Sequence, residues 1–248
     1  MPSDRGGTYQ RIADDLLARI RSGEFRPGDR LPAASKLLAT YGVSKTTVAA
    51  ALDVLRASGL VVTRQGSGAY VRETSEVRRS SPERLSRDRW GRGRSIQDAD
   101  APGRTRVVDI VVALAAAPDW VAAALGVDTG ADVLARSRRF LVDERPMQLA
   151  TSWYPVDVVA GTRIMLTDTG PGGAYQRLTE LGHAPTRFTE QVRTRMPVAD
   201  EARDLALPAG TPILEVTRHA YTEAGRCVES TRMVLDGSAY TLDYTFDA

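Results

Sequence analysis

Two short amphipathic runs that meet at Gly42-Val43-Ser44, followed at once by β-rich segments around a glycine loop, leave this chain few folds to choose from. From Tyr9 the apolar residues Ile12, Leu16 and Ile20 recur at helical spacing along one face, and the pattern stops at Gly23. The segment Phe25-Arg26-Pro27-Gly28-Asp29-Arg30-Leu31-Pro32 reads as a turn. Pro32 is expected in the first turn of a second helix that runs to Tyr41 and buries Leu37, Leu38 and Tyr41. Ser44 suits the cap of a third helix, because its hydroxyl can accept an N–H that the helix leaves unpaired. Val48, Leu52 and Leu55 mark the buried face of that helix, and Gly59 ends it. The opposite face carries Thr46, Ala49, Ala50 and Asp53, with Lys45 and Thr47 flanking the N-terminal end. Two helices joined by a short glycine-containing turn make a helix-turn-helix, whose second helix meets base edges chiefly through its N-terminal end. Residues 60–64 and 69–71 then read as the strands of a hairpin around Gln65-Gly66-Ser67-Gly68. Arg64 and Gln65 put a cation and an amide at its tip, beside Gly66 and Ser67, where phosphate or a groove edge would meet them.

Charge separates the two halves. Residues 1–95 carry 18 basic and 10 acidic side chains, whereas residues 96–248 carry 15 and 21, so the net +2 of the chain hides a basic front and an acidic back. Phosphate neutralisation drives non-specific nucleic-acid affinity, so only the front is suited to a polyanion. A length of 248 residues favours two domains over one. The apolar run Val107–Ala117 is broken by Asp109 and is too short for the roughly 20 residues of a membrane span. Met1–Gly7 contains no apolar stretch that reads as a secretion signal, and the single cysteine, Cys227, has no partner for a disulfide or a zinc site. These features point to a cytoplasmic protein, with Cys227 as a small core residue.

Residues 9–71 resemble the winged helix-turn-helix of the GntR family of bacterial transcription regulators. The match runs through Gly23, Pro27-Gly28, Leu31-Pro32, Tyr41-Gly42-Val43-Ser44-Lys45-Thr46-Thr47-Val48, Ala51-Leu52, Gly59-Leu60-Val61 and Gly66-Ser67-Gly68-Ala69-Tyr70-Val71. The resemblance implies DNA-binding roles for Ser35, Lys36, Ser44, Lys45, Thr46, Thr47, Ala49, Arg64, Gln65, Gly66 and Ser67. Departures accompany it. Ala33-Ala34-Ser35-Lys36 replaces a more polar tetrad, Lys45 stands where Arg is usual, and Ala49 stands where the family carries Arg. An Arg able to pair bidentately with guanine is therefore missing from the middle of the third helix, which shifts discrimination to Lys45, Thr46, Thr47 and methyl contacts from Ala49 and Ala50.

Residues 73–106 are rich in Arg, Ser, Gly and Asp without apolar periodicity, and read as a flexible or partly extended linker whose portion from Arg84 packs at the edge of a second domain. In residues 107–248, strands are expected at 107–113, 132–142, 147–154, 187–196, 213–222, 226–235 and 239–246. Helices are expected from Pro118 to Leu125, from Gly172 to Gly182 and over 199–206. Strands joined by short turns with interspersed helices make an α+β domain on an antiparallel sheet. This half resembles the UTRA domain found in the HutC subgroup of GntR regulators, through Trp120, Leu125-Gly126, Arg136-Ser137-Arg138, Tyr154-Pro155, Gly173, Tyr175, Leu181-Gly182, Gly210-Thr211-Pro212, Arg218, Tyr221 and Glu229. The resemblance implies a chorismate-lyase-like fold that binds a small-molecule effector and dimerises. The turn at Glu144-Arg145 departs from the family, which usually has Gly there.

Arg136 and Arg138 lie two residues apart on a strand and so face one side, where together they can meet an anionic group. Glu229 can accept hydrogen bonds, with Arg232 as an alternative ion-pair partner. Thr151, Ser152 and Tyr154 offer hydroxyls, and the N–H groups of Gly173 and Ala174 open a helix where an anion can sit. Only His183, His219 and Cys227 are available for nucleophilic or metal chemistry, without ligand spacing, so no catalysis, metal or cofactor is expected. The expectation is a homodimeric repressor that binds palindromic operator DNA under the control of a metabolite. The alternatives are an effector-independent repressor and a lyase-like enzyme with a DNA-binding head.

Overall fold

The computed structural model describes residues 7–64, 66–72, 77–94, 96, 100–101 and 104–245. The chain divides into two compact units, Met1–Ser75 with Leu207–Thr211 and Glu76–Ala206 with Pro212–Ala248.

In the first unit three helices, α1 (Thr8–Arg21), α2 (Ala34–Tyr41) and α3 (Lys45–Ala57), precede the strands β1 (Val61–Arg64) and β2 (Gly68–Val71). The i, i+4 stripe of α1 turns Ile12 and Leu16 inward against Leu37 of α2 and Val48, Leu52 and Leu55 of α3, with Val61 and Val71 closing the core. Leu38 and Tyr41 are only half-buried, so of the three residues expected inside on α2 only Leu37 is fully enclosed. Pro32 falls outside that helix, which starts at Ala34 after Ala33 in the cap position. The proline's fixed φ serves the turn before the helix instead. Gly42 ends α2 at φ 63, and its N–H reaches the Leu38 carbonyl, a left-handed cap that side chains with a Cβ adopt at a cost. β1 and β2 pair antiparallel from Val61↔Val71 to Arg64↔Gly68, and Arg30 adds an isolated bridge to Tyr70.

The second unit is built on a six-stranded sheet. Its strands are β4 (Thr105–Ala116), β5 (Asp132–Val142), β6 (Arg145–Pro155), β7 (Arg187–Arg195), β8 (Ile213–Tyr221) and β9 (Cys227–Asp236), in the order β4-β5-β6-β9-β8-β7. Every neighbouring pair is antiparallel. Strand alternation sends successive residues to opposite faces. Leu134, Tyr154 and Val228 join one buried cluster while their neighbours Val133, Trp153 and Cys227 join another. The helix Asp119–Leu125 packs on the second face. The helices Val156–Val159 and Gly173–Glu180 serve the first, and a short helix, Ala199–Asp204, lies against β6. The helix Val156–Val159 and the 3-10 turn Arg163–Met165 had no counterpart in the sequence reading.

At the β5–β6 turn Asp143 and Glu144 both take left-handed φ values, 48 and 62, a conformation that glycine adopts without strain. Arg104 and Arg106 bond their carboxylates and hold the turn from β4.

Within the stretch read as a linker, Val77–Ser80 is β3, and it pairs in parallel with β10 (Tyr240–Asp243). The final strand is therefore shorter than the 239–246 expected and lies outside the main sheet. Arg79, Arg84 and Trp90 are buried in that stretch. Composition concealed this order, because two of the side chains it buries, Arg79 and Arg84, are arginines of the kind that read as solvated.

Candidate DNA-binding face and effector cavity

On α3 the Ser44 hydroxyl accepts the Thr47 N–H at 3.2 Å and lies 2.7 Å from Thr46 Oγ1 and 2.9 Å from Thr47 Oγ1. One serine oxygen thus satisfies a helix-end donor and gathers both threonine hydroxyls. Lys45, Thr46, Ala49 and Asp53 are exposed and Ala50 half-buried, opposite the buried Val48, Leu52 and Leu55. Ser35 and Lys36 are exposed on α2. Arg56 is engaged locally, with Nε donating to Thr63 Oγ1 at 2.7 Å and Nη1 paired with Asp53. At the hairpin the Ser67 hydroxyl sits 2.5 Å from the Tyr70 hydroxyl, and Gly66 is exposed at φ 72. Gln65 and the side chain of Arg64 lie outside the described residues. The sequence reading passed over Arg30. A Cβ on Gly68 would stand 3.1 Å from Arg30 Nε, so this exposed guanidinium lies against the hairpin. The isolated bridge from Arg30 to Tyr70 shows the same proximity.

In the second unit a cavity of about 410 Å³ lies on the Tyr154 face of the sheet. Its apolar wall includes Val107, Ile110 and Phe140. The bulge between Val108 and Val111, where Asp109 takes φ 53 and pairs with Arg139 at 2.5 Å, breaks the alternation so that residues three apart both reach the cavity. Arg136, Arg138, Tyr154, Gly173, Ala174 and Glu229 line it, so six of the eight residues expected at an effector site are brought together.

Thr151 is not among them. It follows the alternation to the other face, where its hydroxyl meets Ser137 at 2.9 Å. Ser152 is fully buried beneath Arg138, 3.0 Å from its Nη2 and 2.7 Å from Thr231, and acts as a support. The Gly173 N–H donates to the Gly170 carbonyl, which removes it from the donors offered to an anion. Arg136 is also committed. Its Nη1 donates to the carbonyls of Ile164, at 2.7 Å, and Leu166, and its Nη2 to that of Thr167 at 3.1 Å, so it organises the loop that walls the cavity.

The floor holds a buried polar cluster. Glu229 accepts from the Tyr154 hydroxyl at 2.7 Å and the Tyr175 hydroxyl at 2.5 Å, and Arg218 Nη2 stands 3.6 Å from it. Its ionic partner is thus Arg218 and not Arg232, which is exposed. Burial raises the Glu229 carboxyl, but Arg218 and the two phenols outweigh it and hold the group below its ordinary value. Burial beside that carboxylate pushes both phenols up. Arg218 is 1% exposed, and among the described residues its Nε and Nη1 have no hydrogen-bond partner. Neither Arg218 nor Tyr175 was singled out as an effector contact. The hairpin around Glu223–Arg226 held the signal, because its register pairs Ala220 with Glu229 and places Arg218 on the same face two residues along.

Cys227 is buried on the opposite face, with its thiol pushed up to about 11 by burial. No group of three or more His, Cys, Asp or Glu that could hold a metal ion occurs among the described residues, and no described helix is long and apolar enough to cross a membrane.

Comparison with known proteins yields two family matches, the gntR family of bacterial regulatory proteins over residues 8–71 and the UTRA domain over residues 103–241. An uncharacterized HTH-type transcriptional regulator of Streptomyces coelicolor is 34% identical, over 96% of this chain and 92% of its own. The Escherichia coli repressor MngR, of the mannosyl-D-glycerate transport and metabolism system, is 26% identical over 96% and 93%. Among solved structures, a GntR-family transcriptional regulator aligns with a TM-score of 0.68 at 30% identity, covering 97% of this chain and 98% of its own. PhnF from Mycobacterium smegmatis aligns with a TM-score of 0.57 at 26% identity, over 97% and 99%.

Proposed function

The chain belongs to the gntR family of bacterial regulatory proteins with a UTRA domain as its second half, and from that premise we propose how its residues divide the work of a DNA-binding transcription regulator. As in that family, operator binding is modulated by a small molecule, and the protein is a regulator and not an enzyme. The DNA-binding head is residues 1–72, residues 73–106 lead into the second domain, and residues 107–248 bind the effector and dimerise. The dimer works in the cytoplasm on an approximately palindromic operator, since two-fold symmetry of the protein asks for two-fold symmetry of the site.

The α3 helix enters the major groove with Lys45, Thr46, Thr47 and Ala49. Ser44 shapes its N-terminal turn, Ser35 and Lys36 approach from α2, and the hairpin from Arg64 to Ser67 follows the backbone with Arg30 beside it. The effector fills the cavity above Glu229. One observation carries this half of the reading. A cavity of about 410 Å³, within the range of small-molecule sites, has an apolar wall and a floor of Arg218, Glu229, Tyr154 and Tyr175. The unpartnered N–H groups of Arg218 favour an effector that brings an acidic or strongly accepting group.

Footprinting of the DNA upstream of its own gene, with and without acidic metabolites and their neutral analogues, tests the reading. Protection of a short inverted repeat, changed by acidic ligands only, is the expected result. Lys45→Ala with Arg64→Ala should weaken that protection and reduce the salt slope by about 1 for each lost phosphate contact. Protection that no metabolite alters would favour an effector-independent repressor.

A further inference from the structure

The exposed face of α3 lacks the side chains that form bidentate contacts with purines. Guanine is read chiefly by Arg or Lys, and adenine by Asn or Gln. Along Lys45–Ala57 the only cations are Lys45 and Arg56, and there is no Asn or Gln. Arg56 is spent on Asp53 and Thr63, at the far end of the helix from the cap. What remains outward is a stripe at helical spacing, Thr46, Ala49, Ala50 and Asp53. The first three members each carry a methyl group. The Thr46 hydroxyl is gathered by Ser44 at 2.7 Å, which leaves its Cγ2 methyl as the group that the cap does not engage.

We propose that α3 reads its operator through thymine 5-methyl groups, with Thr46, Ala49 and Ala50 forming a methyl strip packed on two adjacent A·T pairs in each half-site. The strip is long enough. From Thr46 to Ala50 the helix advances about 6 Å, more than the single step of about 3.4 Å that separates two adjacent base pairs. Lys45, at the cap, supplies the one cation of the N-terminal half and is left for a phosphate or a single flanking guanine. The inference rests on α3 being the element that enters the groove.

The test uses the full chain and duplexes enriched from a random-sequence library. The enriched half-site should contain two adjacent A·T pairs. Replacing their thymines by deoxyuridine, which removes only the methyl groups, should weaken binding about four-fold for each methyl. The same replacement in the flanks should change nothing. In a second selection, Ala49→Arg, an exposed change to another good helix former, should bring guanine into one of those two positions. Equal affinity for thymine and deoxyuridine duplexes, equal losses inside and outside the half-site, or an unaltered selection with Ala49→Arg would each overturn methyl reading while leaving sequence-specific binding intact. A chain that enriches no sequence would overturn both.

Discussion

Arg79 Nη2 lies 2.7 Å from Glu190 Oε1, and neither side chain is more than 8% exposed. The partners are 111 residues apart in the chain, and Ser81 donates to the second carboxylate oxygen at 2.5 Å. This pair fastens β3 to β7, and Arg218 contributes to the same field, since its charge also lowers the Glu190 carboxyl. Removing one member leaves the other charged without its counter-ion in a dry interior, which typically costs about 3–5 kcal/mol. Arg79→Met should therefore lower unfolding free energy by about that amount in urea titrations. Arg79→Met combined with Glu190→Met should recover most of the loss, because two apolar groups need no partner. Additive losses in the double variant would show that the ion pair is not what fastens β3.

Acid should expose the same chemistry. Burial raises the carboxyls of Glu190 and Glu229, but Arg79 and Arg218 respectively, with neighbouring hydroxyl donors, carry both below the ordinary 4.5. A carboxyl depressed in the folded state contributes stability that is complete above its unfolded pKa and is lost as pH falls through the folded one. Melting temperature should therefore hold above pH 4.5 on this account and fall below it. Glu190→Gln should be less stable than the parent near neutrality, and the gap should narrow as the pH drops below that value. A gap that stays constant would mean that the Glu190 carboxyl has the same pKa in the folded and unfolded chain and is not depressed by Arg79.

Ser44 lends itself to a direct measurement. Its oxygen is the acceptor for the Thr47 N–H at 3.2 Å and the hub for two threonine hydroxyls. Ser44→Ala should cost about 1 kcal/mol, the usual worth of such a cap. It should also free the Thr46 and Thr47 hydroxyls. Circular dichroism melts and operator titrations together separate the two consequences, because an affinity loss at a temperature where the variant is fully folded must come from the rearranged face. Unchanged affinity under those conditions would show that the cap matters to stability alone.

What could be read in advance follows from which interactions are local. The three helices and the hairpin are specified by spacing within about a dozen residues. Ile12 with Leu16, Ser44 with Thr47, and the glycines 42 and 59 placed them nearly to the residue. Strand alternation likewise put Arg136, Arg138 and Tyr154 on one face. Thr151 was misassigned although alternation sends it away from Ser152 and Tyr154, because three hydroxyl-bearing residues close in sequence were treated as a group. Two interactions that shape the cavity, one in its floor and one in its wall, were hidden for another reason. Arg218 and Glu229 meet only through a hairpin register, and Arg136 turns to the carbonyls of residues 164–167, which no periodicity connects to it. The parallel pairing of β3 with β10 joins residues more than 150 apart, and the buried Arg79 in it and Arg84 just after it look in composition like part of a solvated tether.

The two glycines that open the helix Gly173–Glu180 provide a contrast in which backbone conformation is held constant. Both line the cavity and both have left-handed φ, 77 at Gly172 and 67 at Gly173, so an alanine at either site carries about 1–2 kcal/mol of conformational strain. Only Gly172 is crowded. A Cβ there would stand 2.7 Å from the Trp90 carbonyl oxygen and 2.6 Å from Gln176 Cβ, whereas one on Gly173 meets nothing within 4 Å. Neither neighbour can yield cheaply, since one is backbone and the other is the root of a helical side chain. Gly172→Ala should thus destabilise the protein by clearly more than the strain shared by both sites and should shift the start of the helix. Gly173→Ala should cost no more than that strain. The Gly172 variant should also bind effector more weakly than the Gly173 variant at equal folded fraction, since Trp90 packs edge-on against Tyr175 with ring centroids 6.0 Å apart and Tyr175 bonds Glu229. Equal melting temperatures for the two variants would mean that the close approach of Gly172 to Trp90 is not a constraint on the cavity wall.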